Sequence, residues 1–205
     1  MIKIIECNEP LVDIKKLCPD LIIDLGKQRM KREKTAYLRK TVAEMIWRAK
    51  KELPKGTTFI IGDAWRPKHV QEKIIKWFIG RFTQKYPDWP KAKIIKEVEK
   101  YVAPSDGKYT SGHMTGGAVD LRLWSNGRKI SMKSSKLNYQ ENAKSFQPKL
   151  PKNIQKNREI MFVALKKAGL SNYPKDYWHW SYGDVWWAKR NKKKAAIYGV
   201  IKNIF

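Results

Sequence analysis

The chain has 205 residues, 42% of them hydrophobic, and nine tryptophans, so it can bury a real core and is not an intrinsically disordered polymer. No run of about 18 apolar residues occurs, which excludes a transmembrane helix of the usual kind. The formal charge of +25 comes from 44 Lys and Arg against 19 Asp and Glu. That charge is spread along the whole length and is densest at Lys27–Lys34 and Lys189–Lys194. It reads either as a solvated lysine-rich surface or as attraction to an anionic polymer, nucleic acid or cell wall. Lysine predominates over arginine, which argues against base-edge readout, so no specific nucleic-acid partner is expected. The N-terminal residues MIKIIECNEPLVDIKK carry early acids and no long apolar stretch, unlike a secretory signal, and the expected location is cytoplasmic. Cys7 and Cys18 are the only cysteines and read as reduced thiols. They are too few for a thiolate zinc site, so any metal must use His and carboxylate ligands.

In chain order, LIIDL (21–25) reads as a short buried strand. Residues 39–53 place Val42, Met45, Ile46, Ala49 and Leu53 on one helical face. PKG (54–56) ends that helix, and TTFIIGDAW (57–65) follows as a strand. Pro67 opens a helix to about Phe82 with Val70, Ile74, Trp77 and Phe78 as its apolar stripe. After PDWP (87–90), another helix runs to about Val102 and stops before Pro104. GAVDLRLW (117–124) alternates Val119, Leu121 and Leu123 against Asp120 and Arg122, a strand pattern, and Asn126-Gly127 turns it into a partner strand RKIS. Residues 132–153 are polar with two prolines and read as a surface loop. NREIMFVALKKAGL (157–170) is an amphipathic helix stopped at Gly169, YWHWSYG (177–183) an aromatic strand, and the tail is basic and then apolar. Strands and helices mix without regular alternation, so the expected class is α+β: one domain over 1–205, a small, largely antiparallel sheet flanked by helices.

Three segments carry residues suited to chemistry. TSGHMTGGAVDLRL (110–123) sets His113 seven positions before Asp120, with three glycines between or beside them. A glycine-rich lead-in lets the backbone fold back toward a strand residue of fixed direction, so the two side chains can share a site. The alternative is a hydrogen-bonded histidine in a turn and a surface aspartate. KDYWHWSYGD (175–184) sets Asp176 three positions before His179, and here the alternative is a histidine packed among aromatics. The chain has only three histidines, and two of them fall beside acids in such contexts. Two His and one Asp make a three-ligand zinc site with one open position, and a further acid can serve as general base. GDAWRP (62–67) sets Arg66 between a strand and a helix, either as a surface arginine in a turn or as a fixed cation for an oxyanion or a carboxylate.

In this order the three segments resemble the zinc D-alanyl-D-alanine dipeptidases of the vancomycin-resistance type, within the wider group of zinc D,D-peptidases. The family pattern of a DxYRP-like turn, SxHxxGxAxD and EWWH appears here as DAWRP, SGHMTGGAVD and DYWH. The flanks YVAP, NREIMFVALKKAGL and WSYGDVWWA also fit, and the likeness runs from about Leu21 to Tyr198. The resemblance implies the zinc D,D-peptidase (hedgehog-like) fold and one zinc ion held by His113, Asp120 and His179. It implies Arg66 as stabiliser of the tetrahedral intermediate, Ser111 near the bound substrate, and Asp63 as the acid that holds the arginine turn. Asp176 stands where the family has its catalytic glutamate, one methylene shorter, and Tyr177 stands in place of a tryptophan. The implied activity is zinc-dependent hydrolysis of D-Ala-D-Ala or a related D-amino-acid cell-wall peptide. Two alternatives stay open on sequence: a murein D,D- or L,D-carboxypeptidase or endopeptidase acting on peptidoglycan, and a non-catalytic binder of an anionic polymer on a degenerate peptidase scaffold.

Overall fold

The computed structural model describes residues 2–106 and 110–202. In chain order the elements are β1 (Lys3–Ile4), β2 (Leu11–Asp13), α1 (Ile14–Leu17), β3 (Ile22–Ile23), α2 (Gln28–Glu33), β4 (Tyr37–Arg39) and α3 (Lys40–Lys51). Next come β5 (Thr57–Asp63), α4 (Lys68–Lys85), α5 (Lys91–Val98), a 3-10 turn (Gly112–Thr115), β6 (Ala118–Ser125) and β7 (Arg128–Lys129). The chain continues through α6 (Tyr139–Ala143), α7 (Lys152–Lys167), β8 (Ser171–Tyr173), β9 (Asp176–Ser181), α8 (Val185–Arg190) and β10 (Ala195–Ala196). The class is α+β, as the irregular order of elements implied.

One sheet organises the molecule. Its strand order is β3-β5-β6-β9-β8, with β7 paired to β6; β3 and β5 are parallel and the other pairs antiparallel. The alternation read in β6 decides its two faces. Val119, Leu121 and Leu123 are buried in the main core, where they join Val42, Met45, Ile46 and Ala49 of α3 and Met161, Ala164 and Leu165 of α7. Asp120 and Arg122 leave the opposite face and line a cleft of ≈ 700 Å³. The N-terminal segment and the tail close on each other, since β1 pairs with β10 and Tyr198 hydrogen-bonds Glu9, while β2 pairs with β4 nearer the start of the chain. The end of the tail, 203–205, lies outside the described residues.

Three expectations need correction. The helix after Pro67 does not bury the stripe expected for it: Trp77 is 58% exposed. Instead α4 packs on α5 through Ile74, Ile75, Phe78, Ile79 and Phe82, a second small core around Ile94, Val98 and Val102. The face that a long helix buries is chosen by its partner, and α5 lies to one side of the stripe read from spacing alone. The helix expected to reach Val102 ends at Val98, and a turn carries the chain on to Pro104. The stretch 132–153 is not a surface loop. Met132, Ser134, Asn142, Ala143 and Leu150 are buried, α6 lies within it, and α7 begins five residues earlier than expected. Its polar residues turn inward because they satisfy backbone groups there. Asn142 bonds Ser134 through both its amide nitrogen and its oxygen, and Arg158 donates to the carbonyls of Met132, Asn142 and Lys144.

Candidate active site

The centre of the cleft is assembled by strand register. Asp120 on β6 stands directly opposite His179 on β9, and opposite Asp63 on β5. His113 comes from the 3-10 turn that leads into β6. Gly116 ends that turn at φ 70°, where a Cβ would lie 2.5 Å from Leu11 Cδ2, so the turn needs glycine there. His113 Nδ1 donates to the Ala64 carbonyl at 2.9 Å, and the Arg66 N–H donates to the His113 carbonyl at 3.0 Å. These bonds tie the arginine turn to the histidine turn and leave the His113 Nε2 facing the cleft, on the side of Asp120.

His113 Nε2 lies 3.3 Å and His179 Nδ1 3.0 Å from Asp120 Oδ1, and the three candidate ligand atoms all fall within 4.8 Å of one another. A tetrahedral zinc with bonds of about 2.0–2.1 Å holds its ligand atoms roughly 3.3–3.4 Å apart. Both His–Asp pairs lie near that separation, and two imidazole nitrogens with one carboxylate suit the ion and leave a fourth position open. Burial works against a charge on Asp120, but the two histidines outweigh it and hold its carboxyl well below the usual range. Asp120 is therefore ionised, as a metal ligand must be.

Arg66 is fixed on one side of this group. Its Nη2 donates to Asp63 at 2.5 Å and its Nη1 to Gln71 at 2.6 Å, while its buried Nε has no hydrogen-bond partner among the described residues. Asp63 also bonds the Ala64 N–H at 2.9 Å and pairs with Arg29, which donates to the Trp65 carbonyl as well. Burial opposes ionisation of Asp63, but Arg66, then His113 and Arg29 outweigh it and hold its pKa low. Its work is to hold the turn, as the resemblance implied.

On the other side, Asp176 opens β9. Regular alternation would send residues three apart to opposite faces, yet Asp176 and His179 both line the cleft. A bulge resolves this. Asn172 pairs with Trp180 while the next residue, Tyr173, pairs with Asp176, so residues 177–179 have no partners on β8. The Asn172 side chain takes the place of the missing strand bonds, donating to the carbonyls of Asp176 (3.2 Å), Tyr177 (3.2 Å) and His179 (3.0 Å). Ser145 in turn bonds Asn172 and the Tyr173 carbonyl. Burial raises the pKa of Asp176 to about 6; His179 works against the rise and Asp120 adds to it.

The structure thus brings His113, Asp120, His179, Asp176, Arg66 and Ser111 to one cleft, while the third histidine, His69, lies on α4 and does not line it. Sequence reading missed Arg29, Asn172 and Ser145. The run at Lys27–Lys34 registered only as charge, and Asn172 and Ser145 lay in segments read as connections. Asn172-Tyr-Pro, a turn signal just before an aromatic strand, was the available hint.

A protein family described as D-ala-D-ala dipeptidase matches residues 11–196. A D-alanyl-D-alanine dipeptidase of Synechocystis sp. is 23% identical over an alignment of 238 positions, gaps included, that covers 98% of this chain and 95% of that protein. Among solved structures, VanYB in complex with D-alanine-D-alanine is similar with a TM-score of 0.49 at 16% identity over 76% of each chain. A variant of the vancomycin-resistance D,D-pentapeptidase VanY in complex with Zn(II) gives a TM-score of 0.48 at 15% identity, over 76% of this chain and 78% of its own. With nearly its whole length matched, the chain belongs to the D-Ala-D-Ala dipeptidase family.

Proposed function

We propose that this protein hydrolyses the peptide bond of D-alanyl-D-alanine as a zinc metallopeptidase. The observation that carries the reading is the His113–Asp120–His179 group, its ligand atoms within 4.8 Å of one another, with a further acid and a fixed arginine in the same cleft. Bound there, zinc supplies Lewis acidity, polarising a carbonyl and making water acidic near neutral pH.

The chain's own residues do the rest. Asp176 accepts the proton of the attacking water and returns it to the leaving amine nitrogen. Its raised pKa suits both halves of that task. Arg66 stabilises the negative charge that develops on the scissile carbonyl oxygen. Its two bonds to Asp63 and Gln71 fix the guanidinium before substrate arrives, so little reorganisation is needed during the reaction. Ser111 lines the same wall beside His113 and offers a hydroxyl to the substrate. Asn172 and Ser145 hold the bulge that turns Asp176 toward the metal group.

Residues 1–205 act as one catalytic domain in this reading, since the main core gathers residues from Ile14 to Tyr198, and the α4–α5 pair is an excursion along the cleft rim. Two free cysteines, Cys7 exposed and Cys18 buried, suit the reducing cytoplasm. Among the described residues no helix is long and apolar enough to cross a membrane. The test is D-alanine release from D-Ala-D-Ala by zinc-loaded protein beside a chelator-treated sample. Metal-dependent release is expected; equal release from both samples, or none from either, would overturn the reading.

A further inference from the structure

The reaction above leaves a pair of cations on the cleft wall without a task. Arg122 follows Asp120 by two residues on β6, so both side chains leave the same face of the sheet. The guanidinium has a seat in the backbone. A Cβ on Gly62 would lie 2.9 Å from Arg122 Nη1, so any other residue at this point of β5 would push the group away. Glycine inside a strand gives up side-chain packing, and here the space it leaves is taken by an ion. On the other side, Arg122 Cζ lies 5.4 Å from the centre of the Trp178 ring. Lys133 reaches the same indole: its Nζ is 5.3 Å from the Trp178 ring centre and 5.6 Å from that of Tyr139.

Two cations on one ring repel each other. Burial, then Arg122 and Lys27, hold the Lys133 ammonium below its usual pKa. Of the other three cleft arginines, Arg29 and Arg66 are both paired with Asp63, and Arg190 donates to the Ser181 hydroxyl. Neither Arg122 nor Lys133 forms an ion pair with an acid among the described residues. The wall is therefore cationic and, among the described residues, without an ion-pair partner, which is the arrangement an incoming anion completes.

Register gives the pair its position. Asp120 stands opposite Asp63 near the end of β5, and Arg122 stands opposite Ile60, one side-chain repeat further along β6. Arg66 and Ser111 lie beyond the opposite end of that stretch, so the metal group sits between two cationic poles. We propose that Arg122 and Lys133 form a subsite for a carboxylate carried by the substrate. The proposal rests on the peptidase reading for what the substrate is. Such a carboxylate has two sources: the C-terminus of the terminal D-Ala, or an acidic group on the acyl part of a longer peptide. A cleft of ≈ 700 Å³ accommodates more than a dipeptide.

The test is calorimetric titration of the zinc-loaded full chain with product-like ligands that need no turnover. One pair is N-succinyl-D-alanine against N-acetyl-D-alanine; the other is D-alanine against D-alaninamide. The acid member of one pair is expected to bind on the order of 10–100-fold tighter, as a charge-assisted contact in a partly dry cleft does. Arg122→Gln and Lys133→Gln should each shrink that ratio, Arg122→Lys should keep most of it, and the pair that responds identifies the source. Lys133 keeps much of its side chain in solvent although its ammonium is partly buried at the cleft wall, so its substitution reads binding rather than folding. No acid preference in either pair, or ratios untouched by both Gln substitutions, overturns the subsite. Assaying D-alanine release from N-succinyl-D-Ala-D-Ala in parallel separates the two ideas: intact binding ratios without hydrolysis would remove the peptidase reading and leave the subsite standing.

Discussion

Replacing Asp176 by Asn should stabilise the metal-free protein while disabling it. Partial burial carries the Asp176 pKa from 3.8 to about 6. Above pH 6 the fold must therefore hold an ion that the unfolded chain holds more easily. The rise of about two pKa units, at 1.36 kcal/mol each, sets an upper limit of about 3 kcal/mol; water at the open side of the cleft screens part of it, which leaves about 1–2 kcal/mol. The sign follows from proton linkage. Between pH 4 and 6 the folded state binds the extra proton, so stability falls as pH rises through that window and is flat above it, as far as this group is concerned. Asn carries no such charge and escapes the loss. Urea unfolding of both proteins in chelator at pH 7.5 and pH 4 checks this. Asp176→Asn should be the more stable protein at pH 7.5, with the gap closing toward pH 4, and zinc-dependent activity should fall by about 100-fold or more. Equal stability at pH 7.5, or a gap that widens on acidification, would refute the electrostatic account of this residue.

Other substitutions separate the parts of the site. His113→Ala should lose zinc in equilibrium dialysis and all metal-dependent activity, because only two ligands remain. Arg66→Ala should retain zinc but lose about 100-fold or more in kcat, since its Asp63- and Gln71-braced guanidinium acts on developing charge. Asn172→Ala removes the three bonds that hold the β9 bulge; kcat should drop on the order of 100-fold as Asp176 shifts, with zinc still bound. Arg158→Met strands the buried carbonyls of Met132 and Asn142 and the part-buried one of Lys144, removes a guanidinium 3.8 Å from the Tyr177 ring centre, and should cost about 3 kcal/mol or more in denaturant unfolding.

The short range of some interactions made part of this molecule legible without coordinates. The β6 alternation, the buried face of α3 and the turn at Asn126-Gly127 depend on neighbours a few residues away, and each formed as read. The candidate ligands were legible because a glycine-rich turn feeding a strand and an acid three residues before a histidine are local patterns, specific in combination. Residues that act across the fold were not. Asn172 works by substituting for a strand bond that exists only once β8 meets β9. Arg29 matters through an Asp63 34 positions away. The segment 132–153 looked like a loop because its polar side chains have no visible use until Arg158 and Asn142 bring its carbonyls inside. Sequence alone determined which groups the site could contain; tertiary structure decided their directions, because a side chain's aim depends on register, bulges and partners that no local pattern encodes.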